Sequence, residues 1–145
     1  MYLVSACLAG VNCRYDGKNS KNKVICELVK AGQAIAICPE QLAGLETPRV
    51  SCEIVIEKNG NKKVISKNGQ DLTEKFALGA EKALAIAKVI GIKKAILKSK
   101  SPSCSCGLIH DGTFSGQLIN GTGLTAELLI KNDIEVCSEN DLDKI

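Results

Sequence analysis

Aromatic residues and long apolar runs are scarce in this 145-residue sequence. It contains no Trp, two Phe and two Tyr, so aliphatic side chains and alanine must fill the core. No apolar stretch approaches the length that a transmembrane helix requires, which excludes a membrane-spanning protein of the helical kind. The sequence also lacks the basic segment and apolar run of a secretory signal. These absences predict a cytoplasmic protein with no membrane partner.

Charge of one sign is not in large excess either. Nineteen Lys and Arg against sixteen Asp and Glu leave a formal net charge of +3, which is compatible with a nucleotide or RNA partner but does not indicate one. The length is suited to a single domain, and no repeat or linker divides the chain, so one domain over residues 1–145 is predicted. Nothing in the sequence indicates an oligomeric state.

Cysteine, in contrast, is abundant, with eight residues in the chain. Disulfides are rarely maintained in the cytosol. Reduced cysteines there fill the core, bind metals or act as catalytic thiols, and the sequence context of each one has to separate these roles.

The pattern of apolar residues predicts alternating strands and helices. Strands are expected at Tyr2–Ala6, Ala34–Ile37, Ala95–Lys98 and Ile134–Val136, and helices at Lys21–Ala31, Thr73–Ile90 and Gly123–Lys131. Asn59-Gly60 is a strong turn signal and predicts a β-hairpin over Ser51–Ser66. Ser99–Thr122 shows no convincing helix or strand. The expected fold is α/β, a three-layer Rossmann-like parallel sheet of about four strands with helices on both faces and an inserted β-hairpin.

Several cysteines fall where predicted strands end. Cys7, Cys38 and Cys137 follow the first, second and fourth strands, and Cys104 lies in the loop after the third. Ligands of open α/β sheets bind outside the carboxyl ends of the strands, so thiols from separate strands could gather around a metal or a cluster there. The alternative is that they are small buried hydrophobic residues.

The remaining cysteines are assigned by context. A structural role is predicted for Cys26, within a helix, for Cys52, at the base of the hairpin, and also for Cys137, while Cys13 and Cys106 stay open. The spacing of Cys104 and Cys106 is tighter than the gap usual for zinc. The lone His110 is interpreted as a loop histidine rather than a ligand.

Polar and basic side chains accompany the candidate cysteines in the same loops. Cations that could hold the charge of a cluster or bind an anionic substrate are Arg14, Arg49, Lys98 and Lys100. The motifs as a set are Ser5-Ala6-Cys7-Leu8, Arg14-Tyr15-Asp16-Gly17, Cys38-Pro39-Glu40 and Ser101-Pro102-Ser103-Cys104.

In these motifs the chain resembles the thiouracil desulfidases, formerly a domain of unknown function, essentially from end to end. The resemblance implies a 4Fe-4S cluster held by Cys7, Cys38 and Cys104, with one iron left open. It also implies Glu40 and Ser101 as catalytic residues, and candidates for substrate binding are Arg14, Asp16, Arg49 and Ser103. The sequence departs from the family pattern where Ser105-Cys106 precede Gly107, so Cys106 is a competitor of Cys104.

The hypothesis is a desulfuration that converts C=S to C=O and releases sulfide without net redox change. The expected substrate is a thiolated pyrimidine base or nucleoside, and thiolated tRNA is possible because longer relatives act on it. One alternative is a metal- or cluster-binding module without catalysis, with zinc as a less favoured occupant. Another is a metal-free thiol or redox protein that uses Cys104 and Cys106. The last is a purely structural set of cysteines.

Overall fold

A computed structural model describes residues 1–144, so Ile145, the last residue of the predicted domain, lies outside the described residues. The strands are β1 (Tyr2–Ser5), β2 (Ala34–Ile37), β3 (Cys52–Ile56), β4 (Lys62–Ser66), β5 (Lys94–Leu97), β6 (Cys106–His110), β7 (Leu118–Thr122) and β8 (Glu135–Ser138). The helices are α1 (Lys23–Lys30), α2 (Pro39–Leu42), α3 (Thr73–Ile90) and α4 (Leu124–Lys131), with 3-10 turns at Ala6–Ala9 and Leu142–Lys144.

Four strands form the central sheet in the order β2-β1-β5-β8, and all of its neighbouring pairs are parallel. Val4 of β1 lies between Ala36 of β2 and Ile96 of β5. The chain leaves β1 for β2 on one side and later returns to β5 on the other. Because of this reversal, a crevice opens at the carboxyl ends of these strands.

The two faces of the sheet are covered by different helices. Leu3, Ala95 and Leu97 pack in one core cluster with residues of α3 and α4, whereas Val4 and Ile96 pack in a second cluster with Ile25 of α1. Successive side chains of a strand point to opposite faces, which explains the alternation. The predicted three-layer α/β fold is confirmed. Within residues 1–144, none of the helices has the length and apolar character needed to span a bilayer.

Two predictions about the second half of the chain are wrong. Ser99–Thr122 is not without regular structure, because β6 and β7 pair as an antiparallel hairpin within it. Cys137 does not follow the fourth strand either, since β8 extends over Glu135–Ser138 and contains it. The predicted hairpin over Ser51–Ser66 is present as β3 and β4.

Two glycines let helices approach the segments that carry candidate residues. A Cβ at Gly79 of α3 would overlap the backbone of Pro39, the residue between Cys38 and Glu40. A Cβ at Gly123, just before α4, would overlap the backbone of Ser103 and Cys104. The close packing of α3 and α4 therefore supports the backbone at the carboxyl edge of the sheet directly.

Gly79→Ala is expected to destabilise the protein. In most helix interiors the same change is stabilising, because glycine lowers the stability by about 0.5–1 kcal/mol relative to alanine. The new methyl group meets backbone rather than a flexible side chain, so an overpacking penalty of about 1–3 kcal/mol should prevail. Thermal unfolding should show a lower Tm than that of the unmodified protein. The pair Glu81→Gly and Glu81→Ala, at an exposed position of α3, measures the ordinary propensity difference in the same helix. A higher Tm for Gly79→Ala would contradict the close approach.

Candidate active site

A cavity of about 370 Å³ lies at the carboxyl edge of the sheet, and Cys7, Cys38 and Cys104 all line it. They lie in the segments that follow β1, β2 and β5, three neighbouring strands of the sheet. The structure thus brings together the three cysteines that the sequence marked as ligands. The volume falls within the range of about 300–1,000 Å³ that is typical of small-molecule sites.

The backbone at each of the three cysteines is held by local hydrogen bonds or by the start of a helix. Cys7 belongs to the 3-10 turn after β1, and its carbonyl accepts the N–H of Ser20 at 2.9 Å. Cys38 is the residue before α2, which begins at once because Pro39 occupies its first position. Cys104 lies in a turn closed by the Ser101 hydroxyl oxygen, which accepts the N–H of Cys104 at 3.1 Å.

Ser101 was predicted to be catalytic, and its hydroxyl lies where it can serve both the turn and the cavity. Its Oγ accepts the N–H groups of Ser103 and Cys104, each at 3.1 Å. The residue also lines the cavity. Since both of these contacts use the oxygen as an acceptor, the hydroxyl proton remains available for donation.

A fourth cysteine, Cys13, lines the same cavity, and the Cys38 thiol donates to its backbone carbonyl at 3.8 Å. It is only 1% exposed. The sequence left Cys13 unassigned because it does not follow a strand. The clue in the sequence was its spacing: Cys13 follows Cys7 by only six residues, so it lies in the loop that leaves the first strand.

The thiols of Cys13, Cys38 and Cys104, which line the cavity, have raised pKa values. For Cys13, the hydrogen bond with Cys38 lowers the pKa, but the hydrogen bond with Cys7 and burial outweigh it and leave the pKa at about 11. The hydrogen bond with Cys13, together with burial, raises the pKa of Cys38 far above its ordinary value. Burial raises the pKa of Cys104 to about 12. These thiols stay protonated at neutral pH, so a metal that binds them has to displace their protons.

Glu40, predicted to be catalytic, also lines the cavity and is held at both carboxylate oxygens. Arg49 Nε donates to Oε1 at 3.0 Å, and Ser103 Oγ donates to Oε2 at 3.2 Å. The side chains of Arg49 and Glu40 are 10% and 15% exposed, so this ion pair is shielded from solvent. Glu40 therefore has a fixed orientation at the cavity wall.

Arg49 and Ser103, both predicted to bind substrate, are occupied with the protein itself. Arg49 also donates to the carbonyl of Glu46, to Thr47 Oγ1 and to the carbonyl of Cys13. With the bond to Glu40, these contacts use four of the five guanidinium N–H groups. Arg49 lines the cavity, but Ser103 is buried and, within residues 1–144, is not among the lining side chains.

The other predicted substrate contacts lie in the loop after Cys13. Arg14 lines the cavity and donates to Ser20 Oγ at 2.8 Å. Its second partner is Asp16, at 3.3 Å. Asp16 is exposed, and in the described part of the chain it stands outside the cavity lining. The structure therefore places Asp16 beside Arg14 rather than at the cavity.

His110 is a cavity residue that the sequence did not single out. It is the last residue of β6 and lines the cavity, and its Nδ1 atom is buried with no hydrogen-bond partner among residues 1–144. Its position became visible only with the β6–β7 hairpin. An unpaired buried nitrogen beside a cavity calls for a functional or structural reason.

The two lysines predicted near the cluster differ in their surroundings. Lys98 lines the cavity but is paired with Glu139 at 3.1 Å. Lys100 also lines the cavity and is exposed. The charge available to an incoming ligand at the rim therefore comes from Lys100 more than from Lys98.

Of the remaining cysteines, only Cys52 lines the cavity within residues 1–144. Cys106 and Cys137 are not part of the cavity lining within the described residues, and the Cys106 thiol donates to the carbonyl of Val136 at 3.8 Å. The thiol of Cys26 donates to the carbonyl of Leu8. Cys52, predicted to be structural, does line the cavity. Cys106 is therefore no rival of Cys104 for this site.

The donor atoms that the three cysteines offer at this cavity are thiols, the ligands that iron–sulfur clusters take. Within residues 1–144, no three His, Cys, Asp or Glu side chains are close enough together to hold a single metal ion. Cys7, Cys38 and Cys104 line one cavity from three separate segments of the chain.

Comparison with known proteins adds independent support. The family model described as 2-thiouracil desulfurase matches residues 2–141. The uncharacterized protein YbbK of Bacillus subtilis (strain 168) is 45% identical over 150 residues, which covers 100% of this chain and 99% of that protein. The solved structure of the 4Fe-4S-dependent thiouracil desulfidase TudS matches with a TM-score of 0.90 and 39% identity, over 99% of this chain and 93% of that one. The chain therefore belongs to the 2-thiouracil desulfurase family.

Proposed function

We propose that this protein removes sulfur from a thiolated pyrimidine base or nucleoside, with a 4Fe-4S cluster bound by Cys7, Cys38 and Cys104. The reaction adds water to the thiocarbonyl carbon and releases hydrogen sulfide, so that C=S and H₂O become C=O and H₂S. No electrons are gained or lost overall, and no external oxidant or reductant is needed.

One observation carries the proposal. Three thiols from the segments that follow three neighbouring parallel strands line one cavity together with a fixed carboxylate, Glu40. A structural set of cysteines would not need to open onto a shared cavity. A redox pair formed by Cys104 and Cys106 is disfavoured because only Cys104 lines the cavity among the described residues.

The cluster, when bound, supplies a Lewis-acidic iron for the sulfur of the substrate. The protein supplies the ligands and their surroundings. Cys7, Cys38 and Cys104 would provide three thiolates, and Lys100 brings positive charge to the cavity wall. The raised pKa values of Cys38 and Cys104 make loading of the metal a proton-releasing process.

Glu40 is suited to accept a proton from the attacking water. Arg49 and Ser103 fix its two oxygens, so the carboxylate need not reorganise when water approaches. Ser101 can donate its free hydroxyl proton toward the substrate. General acid–base assistance of this kind typically contributes about 10²- to 10⁴-fold to the rate.

The cavity walls offer groups that can bind a pyrimidine ring. Arg14, Arg49 and His110 all line the same cavity as the thiols. A thiolated base carries ring N–H and C=O groups that match such donors and acceptors. Arg14 would contact the base, while Asp16 and Ser103 would act through Arg14 and Glu40 rather than by direct contact.

The test begins with the protein reconstituted with iron and sulfide in the absence of oxygen. We expect close to four irons per chain, loss of thiouracil absorbance and sulfide formed in equal amount to uracil. Protein that has not been loaded with iron serves as the control and should be inactive. A fully loaded protein that leaves thiouracil unchanged would contradict the proposed reaction.

The same assay separates the possible substrates. Free thiouracil, a thiolated nucleoside and thiolated tRNA carry the same reacting group, so their kcat/KM values rank them directly. Metal analysis of protein purified without oxygen distinguishes iron from zinc. If zinc fills the site in preference to iron under these conditions, the cluster assignment fails.

A further inference from the structure

We propose that Glu53 and His110 select the base, by binding a ring N–H and the C=O next to it. Glu53 Oε2 accepts the ring N–H, and His110 Nδ1 donates to the carbonyl oxygen. Thiouracils with one sulfur, and their nucleosides, all carry this pair of groups. The inference rests on the proposed function, because the substrate would lie in the cavity already described.

Glu53 is a buried carboxylate with one oxygen in use. It lies in β3, is 9% exposed and lines the cavity. Its Oε1 accepts the backbone N–H of Gly112 at 3.0 Å and that of Phe114 at 3.1 Å. Among residues 1–144, no hydrogen-bond donor contacts Oε2. An ionised carboxylate accepts on both oxygens, so Oε2 remains available to a donor on a ligand.

The free oxygen of Glu53 is reached through the cavity. In the described part of the chain, the fully buried side-chain atoms without a partner are His110 Nδ1 and Thr125 Oγ1. Glu53 Oε2 is therefore not sealed in the interior. Since Glu53 itself is a buried residue of the cavity wall, the access that Oε2 retains is from the cavity.

Anchoring the turn after β6 does not by itself require a carboxylate at position 53. The N–H groups of Gly112 and Phe114 meet one oxygen, and the amide oxygen of a glutamine would accept both of them. Glutamate adds a second acceptor and a negative charge. Among residues 1–144, no Lys, Arg or His forms a salt bridge with Glu53. A buried charge without a cation is costly, and a substrate N–H would offset part of that cost.

His110 supplies the complementary group. It is the last residue of β6, two positions before Gly112, and it lines the same cavity. Its Nδ1 atom is buried and has no partner in the described part of the chain. A neutral imidazole carries its proton on either nitrogen, so Nδ1 can donate to a carbonyl oxygen. A base that brings this oxygen removes the cost of an unpaired buried group.

The turn that links the two residues is seated tightly on β3. Gly112 has a φ of 91°, which favours glycine, and a Cβ there would lie 2.9 Å from the Ile54 carbonyl oxygen. The same turn provides both N–H groups that hold Glu53. Glu53 and His110 are therefore positioned relative to each other before a substrate arrives. Such preorganisation lowers the cost of binding.

An acceptor next to a donor discriminates between thiolated pyrimidines. In 2-thiouracil a ring N–H lies beside a C=O, which complements Glu53 and His110. In 2-thiocytosine the C=S group is the same, but a bare ring nitrogen and an amino group take the places of the N–H and the C=O. A lone pair then meets the Glu53 oxygen and an N–H meets the His110 N–H. Mismatches of this kind reject a substrate by leaving buried polar groups unpaired.

The experiment measures kcat and KM of the iron-loaded protein for 2-thiouracil and 2-thiocytosine, before and after Glu53→Gln. Glutamine keeps its oxygen on the Gly112 and Phe114 N–H groups, so its amino group replaces Oε2 and a donor replaces an acceptor. We expect KM for 2-thiouracil to rise about 10-fold or more, as for other hydrogen bonds to charged groups, with a smaller change in kcat. The preference for 2-thiouracil over 2-thiocytosine should fall by at least the same factor.

Glu57→Gln is the matched control, because Glu57 follows β3 in the same hairpin and, within the described residues, lies outside the lining of this cavity. It should leave both KM values unchanged. His110→Phe is a second, independent variant that keeps a flat ring and removes the donor. It should raise KM for 2-thiouracil by about 2- to 10-fold, the loss expected for a neutral hydrogen bond.

Binding of uracil gives a readout that needs no turnover. Uracil has the N–H and the C=O but no sulfur, and titration calorimetry on the iron-loaded protein measures its Kd. The Kd should rise in Glu53→Gln and in His110→Phe. Unchanged uracil affinity and base preference in both variants would overturn the role of Glu53 and His110 and leave the proposed function intact. Unmodified protein that binds uracil but converts no thiolated base would overturn the proposed function instead, and protein that does neither would overturn both.

Discussion

Cys104→Ala is expected to lower the bound iron well below four per chain. Desulfuration should fall by more than about 100-fold, because loss of a residue that merely supports a metal ligand already costs roughly 10- to 100-fold. Cys104 is 5% exposed and lines the cavity, so alanine removes a thiolate that no neighbour in the same turn can replace. The same result is expected for Cys7→Ala and Cys38→Ala.

Cys106→Ala provides a matched control only two residues away. The Cys106 thiol faces the Val136 carbonyl at 3.8 Å rather than the cavity, so this variant should keep its iron and its activity. Iron and sulfide assays, visible absorbance and the rate of thiouracil loss measure both variants under the same conditions. Should Cys106→Ala lose iron while Cys104→Ala keeps it, the ligand assignment would be wrong.

The positions of these thiols could be predicted because the ends of the strands can be recognised in the sequence. The short aliphatic runs before Cys7 and Cys38 identify parallel strands, and parallel strands present their carboxyl ends at one edge. The strand before Cys104 ends at Leu97, one residue before the predicted end at Lys98. Boundary errors of that size do not move a loop to another edge of the sheet.

The β6–β7 hairpin was not predicted, because its stability comes from contacts with residues distant in sequence. Its strands are short and largely exposed, and both contain glycine. Ile109 of β6 packs with Ile54, Val64 and Phe76, which belong to other elements. Tertiary packing of this kind overrides weak local propensity. His110 was consequently assigned to a loop, although the hairpin places it at the cavity.

The partners of Glu40 could not be derived from sequence for a similar reason. Ser103 lies 63 positions away, and Arg49 follows Glu40 by nine positions across an irregular loop. Both residues were identified as polar and close to a motif, but their predicted role was contact with the substrate. Hydrogen-bond partners depend on how loops fold against each other, and a pattern of residue types does not record that.

Glu40→Gln is expected to reduce kcat by about 10²- to 10⁴-fold, the usual contribution of a positioned general base. Glutamine has the same shape and can keep a contact with Arg49, but it cannot accept the proton of the attacking water. Iron content and visible absorbance should remain unchanged, and KM should change little. This combination separates a catalytic loss from a loss of the cluster.

Two further variants make the interpretation of Glu40→Gln specific. Glu46→Gln alters an exposed carboxylate of the same loop and should leave kcat unchanged. Ser103→Ala removes one of the two groups that fix Glu40 and should give an intermediate loss, because the base remains but is less well oriented. If Glu40→Gln retains full kcat with a full complement of iron, the proton must leave the water by another route. His110 would then be the first residue to test, since it lines the same cavity and its Nδ1 has no partner among residues 1–144.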